Sequence, residues 1–298
     1  MAPSPWHLDT ANMLISIVAS GLAIGATYVL IAITYNIMFT TSKVISFTAG
    51  QLGMLGGVFG SLFILHFGIQ PILGFILTIL VCAGFGVLTE IIGVRPVLKS
   101  LDKHLYVLTT LAISLMVEQI VAIEWGTEPR PFPRLLPSGA SAFVDEKYWL
   151  PILACIVLVL GLEFLFHRTL IGHAYIAISE DNLAARALGL PEKSLRVSSY
   201  ALAGGVGGIA GFASGALLLA YFGNGDILTF YGFIPVALGG IGNNRGAVIT
   251  GLILGVIQQA ANYAFGGVFA SVVVFMIFIV TIIFMPQGIF GATKSRRV

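Results

Sequence analysis

Charge is scarce in this sequence. Asp, Glu, Lys and Arg make up only 9% of 298 residues, while 57% are hydrophobic and the mean hydropathy is +0.99. Soluble domains carry about 25% charged residues. So little charge cannot solubilise so much apolar surface, which predicts an all-α, polytopic helical membrane protein. A transmembrane β-barrel would alternate apolar and polar residues in segments of ~10. Here the apolar runs are continuous. Cysteine is nearly absent: Cys82 and Cys155 both lie in apolar runs, so no disulfide framework is implied. The five histidines show no HExxH or comparable metal spacing, and no GxSxG elbow or Cys/His nucleophile arrangement occurs. The dipeptide Gly-Lys never occurs, which excludes a P-loop. No basic patch with interleaved aromatics points to nucleic acid. The N-terminus, MAPSPWHLDT, lacks the basic region of a cleaved signal peptide, so the first span is expected to stay.

Nine candidate spans are present, at about 11–39, 47–67, 71–94, 105–124, 149–167, 196–222, 227–242, 246–264 and 268–286. The first is long enough to be tilted, or broken near Gly21 and Gly25. The seventh is short and contains Pro235, so the expected total is eight or nine. Basic residues set the orientation. Alternate loops hold Lys43; Arg95, Lys99 and Lys103; Arg168, Arg186, Lys193 and Arg196; Arg245; and Lys294, Arg296 and Arg297. These are 12 of the 15 basic residues, and only Arg130, Arg134 and Lys147 fall in the other set. The first set is therefore assigned to the cytoplasm, with the N-terminus outside and the C-terminus inside. A re-entrant seventh segment would reverse the parity of the last spans.

Residues 1–298 read as a single transmembrane domain. Spans one to four (about 11–124) and six to nine (about 196–286) then run in opposite directions, with span five (149–167) between two halves of inverted topology. Each half has a glycine-rich, interrupted second element: Ser46–Gly57 and Phe230–Gly242. Paired interruptions point to a transport path, with Ser46, Phe47, Gly50, Gln51, Gly239, Gly240 and Gly242 as its candidate residues. The alternative is that these glycines serve close helix packing, as Gly204, Gly207, Gly208, Gly211 and Gly215 do in span six. Intramembrane charge is sparse. Glu118 lies about two-thirds along span four, where it could line a polar cavity or be buried neutral or hydrogen-bonded near the outer interface. Glu163 is spaced to pair with His167. Glu90 and Arg95 mark the inner interface, and Asp226 closes an outside turn. Gln258, Gln259 and Asn262 suit interhelical hydrogen bonds. No acidic ion site is evident at the midplane, which argues against a proton- or sodium-coupled carrier.

The longest polar interval runs from His167 to Gly205. Within it, Ser179 is positioned to cap a helix, with Asn182 three residues on. Ala184, Ala185, Ala187 and Leu188 favour helix, and Gly189 followed by Pro191 ends it. A short helix between two spans (the loop covers 168–195) is a part that a partner can push. The alternative is an amphipathic loop lying on the lipid surface.

The sequence resembles the permease subunits of branched-chain amino acid ABC importers over nearly its whole length. The motifs that carry the resemblance occur in order: Gly21–Phe39, ISFTAGQLGMLGG, Glu90–Ser100, SEDNLAARALGL, Ala237–Gly255 and Phe284–Gly291. The resemblance implies a subunit of the bacterial inner membrane that pairs with a second, homologous permease. Two cytoplasmic ATPases would hold ATP and Mg, a periplasmic binding protein would deliver cargo, and this chain would bind no cofactor itself. It also implies that Ser179, Glu180, Asp181, Asn182, Ala184, Ala185 and Gly189 belong to a coupling helix seated on an ATPase. Two motifs depart from the family. Relatives commonly read Asn-Phe-Ala-His-Gly-Asp/Glu where this chain has Ser46, Phe47, Thr48, Ala49, Gly50 and Gln51. They commonly read Gly-Arg-Ala-x-Arg-Ala at Gly172–Ala177, where both arginines are missing here. Relatives also carry urea, short amides and aromatic acids, which are the alternative cargoes. A stand-alone channel or secondary carrier is the competing class. An intramembrane enzyme lacks any catalytic constellation.

Overall fold

A computed structural model describes residues 5–98, 105–133 and 145–291. The described residues are helical nearly throughout. The helices are α1 (Pro5–Ser42), α2 (Ala49–Ser61), α3 (Pro71–Leu88), α4 (Arg95–Val97), α5 (Leu105–Trp125), α6 (Trp149–Arg168), α7 (Leu170–Glu180), α8 (Asn182–Ala187), α9 (Glu192–Leu218), α10 (Asn224–Gly239), α11 (Asn244–Phe265) and α12 (Gly267–Phe284). A π-helical turn extends α2 over Leu62–His66, and another joins α3 to α4 over Thr89–Val94. Local chemistry sets several boundaries. Pro71 opens α3 at a position where its missing N–H costs nothing. The Asn243 side chain accepts from Gly246 N at 3.0 Å and so caps α11.

Eight of these helices are long and apolar enough to cross a membrane. The segment expected at 227–242 is the exception, since α10 has only 16 residues. The first span is one unbroken helix through Gly21 and Gly25. Its glycines pack instead of bending: a Cβ on Gly25 would meet the backbone of Gly251 and Leu252 in α11, so the two helices touch backbone to backbone.

The contacts between helices reveal an internal repeat. α1 packs along α11 as α9 packs along α3, and α10 lies on α1 as α2 lies on α9. Exchanging α1 with α9, α2 with α10, α3 with α11 and α5 with α12 maps this pattern onto itself, with α6 between the halves. The backbone repeats too. The two non-glycine residues with positive φ among those described are Lys43 and Leu219, each directly after the long helix that opens its half. Each half then sends a short non-helical segment, 43–48 or 219–223, inward to a short helix. The Leu52 carbonyl faces Cys82, midway along α3, and a Cβ on Gly207, midway along α9, would meet Leu52. The N-terminus of α2 therefore sits about halfway through the bundle. The first turn of α10 abuts it: a Cβ on Gly50 would collide with the backbone of Gly225 and Thr229.

Two faces of the bundle separate by charge. On one, Arg245 pairs with Glu163, and Arg95, Arg186, Glu192 and Arg196 gather around Glu90. Lys43, His167 and Arg245 line one cavity there. On the opposite face Arg130 bridges to Ala220 through paired backbone hydrogen bonds of 2.9 Å. α10 starts beside Leu218 and Leu219 on the Arg130 side, and its end reaches Asn36 and Phe39 on the Lys43 side. Together with segment 219–223 it completes a crossing, so Arg245 stays on the face of His167. Lys99, Lys103, Arg134, Lys294, Arg296 and Arg297 lie outside the described residues.

Candidate functional site

Three places assemble the residues that chemistry singles out. The first is the polar interval, which folds as two short helices. Thr169 caps α7, its hydroxyl accepting from Gly172 N at 3.1 Å. Gly172 has no room for a side chain, because a Cβ there would strike the backbone of Leu165 and Phe166 at the end of α6. At the two positions where the family resemblance leads arginine to be expected, this chain has His173, exposed, and Ile176, facing the Lys43-side cavity. Tyr175 is buried and bonds Ser198 at 2.8 Å, and burial raises its phenol above the ordinary tyrosine value.

The helix expected to start at Ser179 starts instead at Asp181. Ser179 and Glu180 form the end of α7. The Asp181 carboxylate accepts from Leu183 N at 2.9 Å and from Ala184 N at 3.1 Å. The reason is geometric: Asp181 has the extended backbone of a cap (φ −147°, ψ 102°), whereas Ser179 lies inside a helix already running from Leu170. Gly189, at φ +84°, ends the turn as its sequence position predicts. Of α8's residues only Ala185 is buried, while Asn182 and Ala184 are exposed. Leu183 is 82% and Leu188 83% exposed, so two large apolar side chains project from this turn.

The second place is a network of charge beneath α8. Glu90 has no exposed side-chain surface and accepts from Arg95 Nη2 at 2.8 Å and Arg196 Nε at 2.9 Å. Arg196 also reaches Glu192 at 3.0 Å, and Arg186 of α8 lies 3.6 Å from Glu192. This chain of charges ties α8 to the start of α9 and to the end of α3. Glu90 is thus a buried junction between helices on the Lys43-side face of the bundle.

The third place is the meeting of α2 and α10. Ser46 is buried and bonded to Thr48 at 2.8 Å. Phe47 is half-buried, its ring 6.0 Å from that of Phe233. Gly50 packs against α10, and Gln51 Nε2 donates to Asp226 Oδ1 at 3.2 Å. Asp226 does not close an outside turn. It is the third residue of α10, as Gln51 is the third residue of α2, and the inward course of 219–223 carries it into the bundle. Glu118 of α5 is a near neighbour of Asp226. Sequence reasoning missed this pairing. The repeated Gly50–Gln51 and Gly225–Asp226 dipeptides were the available signal.

Gly239, Gly240 and Gly242 lie elsewhere. Gly239 packs on Gly246, and Gly240 and Gly242 make left-handed turns at the other end of α10. The internal repeat therefore matches Ser46–Gln51 with the start of α10 and not with its end. Gly240 and Gly242 share a cavity of about 800 Å³ with Ser179, between α1, α6, α7 and the turn that opens α11.

The family described as branched-chain amino acid transport system, permease component, matches residues 17–285. The permease BraD of Pseudomonas aeruginosa, named for high-affinity branched-chain amino acid transport, is 26% identical over 94% of this chain and 96% of its own length. LivH of Escherichia coli, named likewise, is 24% identical over the same shares. LivM of Methanocaldococcus jannaschii is 27% identical over 80% of this chain and 81% of its own. No solved structure matches. With eight apolar helices and a match spanning nearly its whole length, the chain belongs to the branched-chain amino acid transport system permease family.

Proposed function

We propose that this chain is the transmembrane permease subunit of an ATP-driven importer that brings branched-chain or other hydrophobic amino acids into the cytoplasm. The family match over residues 17–285 carries this reading. Similarity to both LivH and LivM supports pairing with a second permease of the same family. The Lys43 face is assigned to the cytoplasm because basic residues concentrate there. ATP and Mg would be held by two separate ATPase subunits docked on that face, and a binding protein on the Arg130 face would deliver the cargo.

The coupling part is α8. Exposed Leu183 and Leu188 offer an apolar grip, and the Asp181 cap holds the turn in shape. A displacement of α8 is passed through Arg186, Glu192, Arg196 and Glu90 to α9 and α3. Those helices hold α2 through backbone-close glycine contacts, such as Gly56 on Gly208, which transmit tilt with little slack. The experiment is uptake of radiolabelled leucine by vesicles containing this chain with its co-purifying subunits. Uptake that requires ATP, and is lost with Leu183→Asp together with ATPase co-purification, supports the reading. Uptake by this chain alone without ATP sinks it in favour of a carrier.

A further inference from the structure

We propose that Glu118, Asp226 and Gln51 form an intramembrane site for the ammonium group of the transported amino acid. This rests on the reading of the chain as an amino-acid permease and adds to it a place where the cargo is held. The site is built from both halves, where the N-termini of α2 and α10 abut. Both helix dipoles point their positive ends at it, which favours ionised carboxylates there. Two neighbouring carboxyl groups, Glu118 buried and Asp226 partly buried, need a shared proton or an outside cation to stay close.

The unused acceptors indicate which cation. Gln51 is 2% exposed and commits its amide nitrogen to Asp226, yet its buried Oε1 has no partner. Glu118 is 8% exposed, and its Oε2 is likewise buried without a partner. Orphaned buried acceptors are costly, at about 1–3 kcal/mol each, and are rare without a ligand or a role. A single proton between the carboxyls leaves Gln51 Oε1 unmet. A primary ammonium has three donors, one for each of Glu118, Asp226 and Gln51. Phe230 and Ile227, on α10 beside Asp226, are 56% and 46% exposed and supply an apolar surface for the cargo's side chain.

The test uses the chain in the assembly with which it co-purifies, without the binding protein, in lipid nanodiscs. Thermal unfolding is followed against leucine, 3-methylbutylamine, 4-methylpentanoate and sodium chloride at constant ionic strength. Leucine and the amine are expected to raise the midpoint, and the carboxylate and sodium are not. Glu118→Gln is expected to weaken the amine's apparent affinity at least tenfold. Gln51→Met, which removes an acceptor without altering charge, is the second variant should Glu118→Gln fail to fold, and it is expected to weaken the amine in the same direction. Equal responses to amine and carboxylate, a response to sodium in place of the amine, or variants that keep the amine's affinity would each overturn the site. ATP-dependent leucine uptake is measured in parallel on the same preparation. Uptake without an amine response removes the ammonium site and leaves the importer reading intact. An amine response lost in both variants, without ATP-dependent uptake, keeps the site and removes the importer.

Discussion

Glu90 shows how much one side chain can organise. It holds two guanidinium groups in a setting that offers it no water. Breaking such a group by removing one partner costs about 3–5 kcal/mol. Glu90→Gln is therefore expected to lower the thermal midpoint of the purified chain in detergent markedly, and Lys193→Gln, at an exposed position on the same face, is not. Fluorescence-detected size exclusion after heating measures both. Leu219 is the opposite case, a residue under local strain. At φ 62° and ψ 166° it occupies a region that only glycine visits freely, at a cost of about 1–3 kcal/mol. It is 42% exposed, so little burial is lost on truncation. Leu219→Gly is expected to raise the midpoint. An unchanged or lower midpoint would show that the leucine's contacts outweigh its backbone strain. Gly50 tolerates no side chain, and Gly50→Ala should cost about 1–3 kcal/mol by forcing α2 from α10.

At the scale of the element, α8 has six residues and depends on its cap. Asp181→Ala removes both hydrogen bonds to Leu183 N and Ala184 N and should destabilise the turn by about 1 kcal/mol. The expected readout is weaker coupling of ATP hydrolysis to uptake, with the fold's thermal midpoint nearly unchanged, because α8 is exposed. Leu183→Asp should act more strongly, abolishing ATPase co-purification. Ala185 is the wrong position for such a test, since its burial makes any bulky replacement a packing defect. The short helices α2 and α10 make a second point about elements. Neither would be stable alone at its length. Each is held by a long helix, α9 or α1, whose small residues let backbones approach.

At the scale of the whole molecule, the separation of charge predicts an orientation. Cys82 and Cys155 are buried, so the native chain should react poorly with a membrane-impermeant maleimide. Cysteine placed at Asn182 should label only from the cytoplasmic side, and cysteine placed at Glu128 only from the external side. Labelling of both from one side would overturn the assigned crossing of α6. Apolar composition already made the polytopic helical class and the count of eight or nine spans legible in the sequence. It did so because lipid leaves helices few alternatives and because charge does not cross it freely. Gly189 and Pro191 marked the end of α8 for the same kind of local reason. What one dimension hid was decided by packing. Ser179 looks like a cap until the helix from Leu170 runs through it. Gly239 looks like the partner of Gly50 until the repeat aligns Gly225 there instead. Asp226 reads as a turn residue because nothing local shows that 219–223 folds inward to bring it against Gln51 and Glu118. Hydrophobic periodicity and capping act over a few residues, so the sequence determined which segments are helices and which loops share a side. Only the tertiary structure, where two distant helix starts meet in the middle of the bundle, decided where the buried carboxyl groups come together.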